Sequence, residues 1–366
     1  MTALVLQPLQ RHVAAARNGD RAPLARSAIA VLAVLLGCAM LVSLNSGALE
    51  IQALKVMATI FDPVSSLSGE ELRDRIVFLQ VRLPRVCLGA LVGAALAVSG
   101  AVMQGLFRNP LADPGIIGVS SGAGLGAAGF IILGQSWLAP VAALLGVFSL
   151  PVSAFLGALL VTSLLYRIGT SNGLSSVATM LLAGIAISAL AMSMVGLLIF
   201  YADDQQLRDL TFWNLGSLAG ASWEKVATCA AIVSVALAVA LSLSRGLNAL
   251  FLGEAAAGHL GIRVQRLKTL AIVAVAAATG ASVAVSGGIG FVGIVVPHLL
   301  RLTIGPDHRY LLPASALLGA VMLILADTVS RIVVAPAELP IGILTALAGA
   351  PFFLWVLLRR RGLTGL

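Results

Sequence analysis

Charge is what this sequence has least of. Asp, Glu, Lys and Arg make up 10% of its 366 residues, whereas a soluble domain carries about a quarter. Lysine occurs three times, as Lys55, Lys225 and Lys268, preceded by Leu54, Glu224 and Leu267. A phosphate-binding loop of the form G-x-x-x-x-G-K-[ST] needs glycine in that place, where the backbone closes around phosphate. Such a loop is excluded. Histidine is almost as sparse: His12, His259, His298 and His308 lie far apart and offer no metal-ligand spacing. Cys38, Cys87 and Cys229 all fall in apolar stretches, with neither disulfide nor zinc spacing, and read as small buried hydrophobes. No Ser/His/Asp set stands out. The net charge of +8 could suit nucleic acid, but the basic residues sit in short connections and form no continuous surface.

What the sequence has in quantity is apolar length, with 59% of its residues hydrophobic. A helix crossing a bilayer takes about 20 residues. Apolar runs fall at roughly 27–47, 86–106, 115–134, 138–165, 175–200, 226–244, 269–285, 289–300, 311–330 and 341–358. The pattern predicts an all-α polytopic membrane protein with about ten transmembrane helices, forming one domain over 1–366. Leu35-Leu36-Gly37-Cys38 resembles a lipoprotein cleavage box, but the apolar run continues past it and a long basic leader precedes it. Residues 27–47 therefore read as a retained first span. The run 289–300 is too short to cross unaided. Ser286-Gly287-Gly288-Ile289-Gly290 before it predicts broken backbone, which a membrane tolerates only inside protein or beside a watery cavity.

Basic residues set the orientation. With the N-terminus cytoplasmic, 15 of the Lys and Arg residues fall on the inner side and eight on the outer, as the positive-inside rule requires. Residues 1–26 then form a cytoplasmic N-terminal segment, and Arg359-Arg360-Arg361 anchor a cytoplasmic C-terminus. Outside, Ser68 and Glu71 form a capping-box pattern. Leu72, Ile76 and Leu79 follow on one helical face, predicting a short amphipathic helix on the outer surface. Inside lies LFLGEAAAGHLGIRVQRL, residues 250–267. There Gly253 can end one segment, Glu254 start the next and Gly261 close it, with Ala255, Ala256, Ala257 and Leu260 offering a small apolar face. His298 and His308, flanking Arg301, read as surface hydrogen-bonding groups.

Asp327 is the one acid inside an apolar run, and Arg331 is placed for an i, i+4 pair with it. Proton-driven carriers usually hold more ionisable groups at mid-membrane. The chain thus reads as a conduit without an engine, its energy coming from another polypeptide. A secondary transporter or an intramembrane enzyme is the alternative.

Several collinear blocks carry a resemblance that runs from about residue 30 onward: RLPR at 82–85, GAALAVSGAVMQGLFRNPLADPGIIGVSSGAG at 93–124, LGEAAAGHLGI at 252–262, GGIGFVGIVVPHLLR at 287–301, DHRYLLP at 307–313 and AELPIGILTALAGAPFF at 337–353. On these the chain resembles the permease subunits of type II ATP-binding-cassette importers for iron–siderophores, haem and vitamin B12. The resemblance implies the vitamin B12 permease fold in a bacterial inner membrane, and a homodimer with cargo passing between two copies. It also implies two ATPase subunits holding ATP and Mg below, and a periplasmic binding protein above. Arg82, Arg85 and Arg331 would stand on the outer rim and pair with carboxylates of the binding protein. Leu252, Gly253, Glu254, Ala255, Ala256, His259, Leu260 and Gly261 would form the coupling helices of the 245–268 connection, seated on the ATPase. Asn109 and Leu111 would supply one half of a cytoplasmic gate, and Val177 and Ala178 the other, where relatives often carry Thr-Ser-Arg. The run Asp203–Trp223 looks most like haem permeases, so haem is the expected cargo, with ferric siderophore or cobalamin as the alternative. The chain itself is expected to bind no metal or cofactor.

Overall fold

The computed structural model describes residues 21–47, 51, 53–58, 68–171 and 174–361. Most of the expected N-terminal segment lies outside them. Every one of the ten apolar runs is helical. Among the described residues, seven helices are long and apolar enough to cross a membrane by length and composition, and three apolar ones are shorter.

The first helices are α1 (Ala22–Asn45) and the short α2 (Ala53–Ala58). The long α3 (Gly69–Leu106) begins at Ser68 with the expected capping box: the Ser68 side chain accepts from the Glu71 amide, and the Glu71 carboxylate accepts from the Ser68 amide. The outer amphipathic helix does not lie apart as the sequence pattern suggested. It runs straight into the second span, and Ile76 is exposed. Pro84 explains the join. Proline has no amide hydrogen and crowds the preceding turn, and the chain widens to a π-helix over Phe78–Arg82, where the Leu83 amide donates to the Phe78 carbonyl. That wide turn re-phases the helix so that both Arg82 and Arg85 point inward.

Next come a 3-10 turn (Pro114–Ile117), α4 (Val119–Leu133), α5 (Ala139–Leu145) and α6 (Ser149–Gly169). A minimal hairpin pairs β1 (Thr170–Ser171) with β2 (Leu174–Ser175). The chain continues through α7 (Val177–Phe200), α8 (Asp204–Leu215), α9 (Trp223–Ser242), α10 (Ser244–Leu250) and α11 (Glu254–His259). It closes with α12 (Val264–Ser286), α13 (Val292–Thr303), α14 (His308–Ile332) and α15 (Ile341–Arg361). The sequence reading did not assign α8 as a helix. Its signal was the box Asp203-x-x-Gln206, in which both reciprocal bonds form.

Helices α3 and α12 are buried almost all round and form the centre. Around α3 pack α9, α12, α13 and α14, while α4 sits against α6 and α7. Glycine sets the closest crossings. A Cβ at Gly93 would overlap the Gly319 carbonyl of α14, and one at Gly100 would overlap the Gly293 carbonyl of α13. In lipid, such backbone approach replaces the hydrophobic drive as the source of helix association. Leu156, Leu160, Leu164 and Ile168 form an exposed apolar stripe on α6, and α7 leaves Leu182, Ile185, Leu190 and Leu197 exposed. Such faces suit contact with lipid.

The break before α13 is present as expected. Gly287 and Phe291 both take left-handed backbone (φ 68° each), and α13 is only 12 residues, about 18 Å, long. Its irregular backbone is satisfied by protein. The Ser286 carbonyl accepts from the Ser217 amide at 2.8 Å, the Gly288 amide donates to the Trp213 carbonyl at 3.3 Å, and the Ile341 amide donates to the Gly216 carbonyl at 3.0 Å. The ends of α8, α12 and α15 are thereby joined at one junction.

Gly93→Val places two methyls against backbone and is expected to prevent a monodisperse, folded protein in detergent size-exclusion chromatography. Gly124→Ala, where nothing lies within 4 Å, is expected to behave as wild type. Equal behaviour of the two variants would contradict the packing described.

Candidate functional site

The two ends of α14, a 25-residue helix about 37 Å long, each carry a polar cluster. At its C-terminal end lie the three arginines expected on the rim. They are not free there. Arg82, Arg85 and Arg331 are 4%, 6% and 8% exposed, and each is held inside the chain. Arg82 donates to the Leu44 carbonyl at 2.6 Å. Arg331 donates to the Ser46 carbonyl at 2.9 Å and to the Ser43 hydroxyl at 2.7 Å. Arg331 also donates to the Ser43 carbonyl at 3.3 Å, and these groups lie at the C-terminal end of α1, where helix carbonyls lack intrahelical donors and the dipole end is negative. The two cations therefore cap α1.

Arg85 does something different. Its Nε and Nη2 donate to Asp327 at 2.8–3.1 Å, and its Nη1 and Nη2 donate to Glu338 at 2.8 and 2.9 Å. Arg331 also meets Asp327 at 3.2 Å, the i, i+4 pair read from the sequence. Asp327 is thus shared by two guanidiniums and only 2% exposed. The side chain of Glu338 is 38% exposed, making it the most accessible charge of the cluster. The part played by Glu338 was missed. It lies in a connection 253 residues from Arg85, and only the fold joins them.

The N-terminal end of α14 is tied to α10. Asn248 donates to Asp307 at 2.7 Å, and its carbonyl oxygen accepts from the His308 amide at 2.9 Å. Desolvation alone would raise the Asp307 carboxyl, but the Arg309 side chain and amide and the Asn248 amide outweigh it and hold it at about 2. His308 is fully buried against Phe251, and His298 is buried beside Phe352. Neither is the surface group expected. Cys229 is buried as anticipated, Cys87 half-buried, and Cys38 exposed.

Beyond α10 the chain turns at Leu252 and Gly253 (φ 107°) into α11 and leaves it at Gly261 (φ 80°). Phe251, Leu252 and Leu260 are 43%, 69% and 63% exposed, and Ala255 and His259 are exposed with them. Ala257, expected on the outward face with Ala255 and Ala256, is fully buried instead. It packs in the core with Leu247, Leu250 and Leu267. Glu254 pairs with the buried Lys268 of α12 at 2.9 Å. The projecting turn is therefore fastened to the central helix through one ion pair and one apolar plug.

The positions expected as gate halves lie in adjoining connections. Asn109 accepts from the Leu111 amide at 3.0 Å, closing a turn after α3. Ala178 is exposed in the first turn of α7, which Ser176 caps through the Thr179 amide. The side chain of Val177 lies outside the described residues. The 3-10 turn that follows Asn109 and Leu111 packs against α7. Among the described residues no group of three or more His, Cys, Asp or Glu could hold a metal ion.

Residues 33–359 match the FecCD transport family. The chain belongs to that family. Over 285 residues it is 48% identical to a hemin transport system permease protein of Yersinia pestis, covering 78% of this chain and 84% of that one. A cobalamin import system permease protein of Halobacterium salinarum is 46% identical over 76% and 72% of the two chains. A solved structure titled as an inward-facing conformation of a metal-chelate type ABC transporter superposes with a TM-score of 0.78 at 34% identity, covering 90% of this chain and 98% of that one. The FecCD chain described here is accordingly a permease of the ATP-binding-cassette importers and a helical membrane protein.

Removing the shared carboxylate should take from the buried Arg331 the acid it pairs with and leave Arg85 with Glu338 alone, at a cost of about 3–5 kcal/mol. Asp327→Ala is expected to lower the melting temperature of the purified permease in detergent, and an unchanged melting temperature would contradict the role given to Asp327.

Proposed function

We propose that this permease moves haem from a periplasmic binding protein into the cytoplasm, powered by a separate pair of ATPase subunits. The observation that carries the reading is the exposed turn Phe251–Gly261, fastened to the central helix by Glu254 and Lys268. A chain with no phosphate-binding loop needs a grip for the subunit that has one. Leu252 and Leu260 supply apolar anchors for such a groove, and Glu254–Lys268 passes a push on α11 directly to α12. Because α12 packs on α3 and α6, movement reaches the connections at Asn109 and Ala178.

Two copies are assigned to the working unit, with cargo passing between them and the termini of both in the cytoplasm, the side favoured by the basic connections. The opposite ends of α14 then face opposite sides of the membrane, with Arg85 and its partners outermost. Arg85 is the residue assigned to meet a carboxylate of the binding protein. Arg82 and Arg331, occupied in capping α1, position it. Reversing all three charges, a natural test of docking from sequence alone, would bury three more carboxylates and unfold the cluster. Arg85→Gln is the sharper variant.

Haem is favoured because the hemin permease relative is 48% identical, ahead of the cobalamin permease at 46%. The margin is small, and cobalamin is the second reading. Proteoliposomes holding the permease, its ATPase and its binding protein are expected to accumulate haem on ATP addition, and not cobalamin or a ferric siderophore. Uptake of cobalamin alone would reassign the cargo, and uptake driven by a proton gradient without ATP would overturn the reading. Leu252→Asp combined with Leu260→Asp is expected to prevent co-purification of the ATPase. Retention of a full complement of ATPase would contradict the grip.

A further inference from the structure

Both two-point edges of the Arg85 guanidinium are filled. One edge, Nε with Nη2, grips Asp327, and the other, Nη1 with Nη2, grips Glu338, both in the two-point geometry that suits arginine to carboxylates. A carboxylate arriving from a docked protein finds no unfilled edge. It also meets Glu338 first, a like charge. One of the two resident acids must therefore leave if Arg85 is to take a new partner, and they are not equally able to do so. Asp327 sits in the interior, held by Arg331 as well as Arg85, and its departure would take from the buried Arg331 the carboxylate it pairs with. Glu338 lies in the connection between α14 and α15, and its side chain is 38% exposed. Its withdrawal into water leaves Arg85 still neutralised by Asp327.

We propose that Glu338 is a resident stand-in for the docking partner's carboxylate: it occupies the outer edge of Arg85 in the undocked permease, and an acidic side chain of the binding protein displaces it. This rests on the reading of Arg85 as the docking residue. The exchange swaps one Arg–carboxylate pair for another, so no buried charge is left unpaired at any stage, and the arginine edge stays in a two-point grip before and after docking. It also makes docking selective. A partner that presents no acid at this position cannot release Glu338, and a solute carboxylate competes poorly against one already tethered beside its arginine.

The test uses the permease–ATPase complex in lipid nanodiscs, titrated with the purified binding protein of the same transport system. Glu338→Gln removes the charge, and Glu338→Asp keeps the charge but withdraws it by one methylene, out of reach of Arg85. The exchange predicts that both variants lower Kd, by roughly threefold or more. If Glu338→Asp matches wild type while Glu338→Gln tightens binding, only surface charge is involved and the exchange is wrong. It is equally wrong if neither variant tightens binding. Arg85→Gln, with folding verified by size-exclusion chromatography, separates the two levels. Loss of binding there supports the docking reading whatever the Glu338 variants do, and unchanged binding removes that reading together with the exchange.

Discussion

A buried carboxylate, Asp327, is the constraint on which one end of this molecule depends. Insertion of a charged residue deep in a membrane costs about 2.5–3.5 kcal/mol, and Asp327 is 2% exposed at the C-terminal part of α14. It is tolerable only because Arg85 arrives from α3 and Arg331 from one turn further along the same helix. The arginines impose requirements in return. Arg331 has donors left over, and these, with those of Arg82, meet the last carbonyls of α1. Three helices are thereby fixed together through polar contacts at a place where packing of small side chains alone would leave helix ends unsatisfied. Glu338 completes the charge balance from outside.

The rest of the fold obeys a related rule, that backbone in a membrane must find partners within protein. Where α12 ends at Ser286 the chain breaks, and the Ser286 carbonyl and Gly288 amide released there are taken up by Ser217 and Trp213. Side chains tighten the same neighbourhood: Gln104 of α3 donates to the Gly293 carbonyl at 3.1 Å and accepts from Arg301 at 2.7 Å. The half-helix α13 is consequently pinned to the central helix along its length. Where the apolar turn at α11 projects, it is anchored by the same kind of device, a buried Lys268 against Glu254.

How much of this could be read in advance depended on sequence distance. The ten helices were legible because apolar length is a local property, as were the Ser68 box, the broken stretch before α13 and the Asp327–Arg331 pair. The partners of Arg85 were not, because they lie 242 and 253 residues away and on other elements. An arginine beside a proline at a helix start reads the same whether it faces water or another helix. The π-turn ahead of Leu83, which decides that question, has no composition signature beyond Pro84. Ala257 illustrates the limit at shorter range. In a six-residue helix, alanines 255, 256 and 257 look alike, and only the core formed by Leu247, Leu250 and Leu267 picks one of them to bury.

The account requires the arginine–carboxylate cluster and the α11 turn to face opposite sides of the membrane, joined by α14 and α12. Impermeant maleimide labelling of single cysteines measures this directly, in a chain whose three native cysteines are replaced by alanine. Leu260→Cys and Val333→Cys, at side chains 63% and 61% exposed, are the reporters. The account predicts that intact spheroplasts label residue 333 and not residue 260, and that inside-out vesicles give the reverse. Labelling of both positions from one side would contradict it.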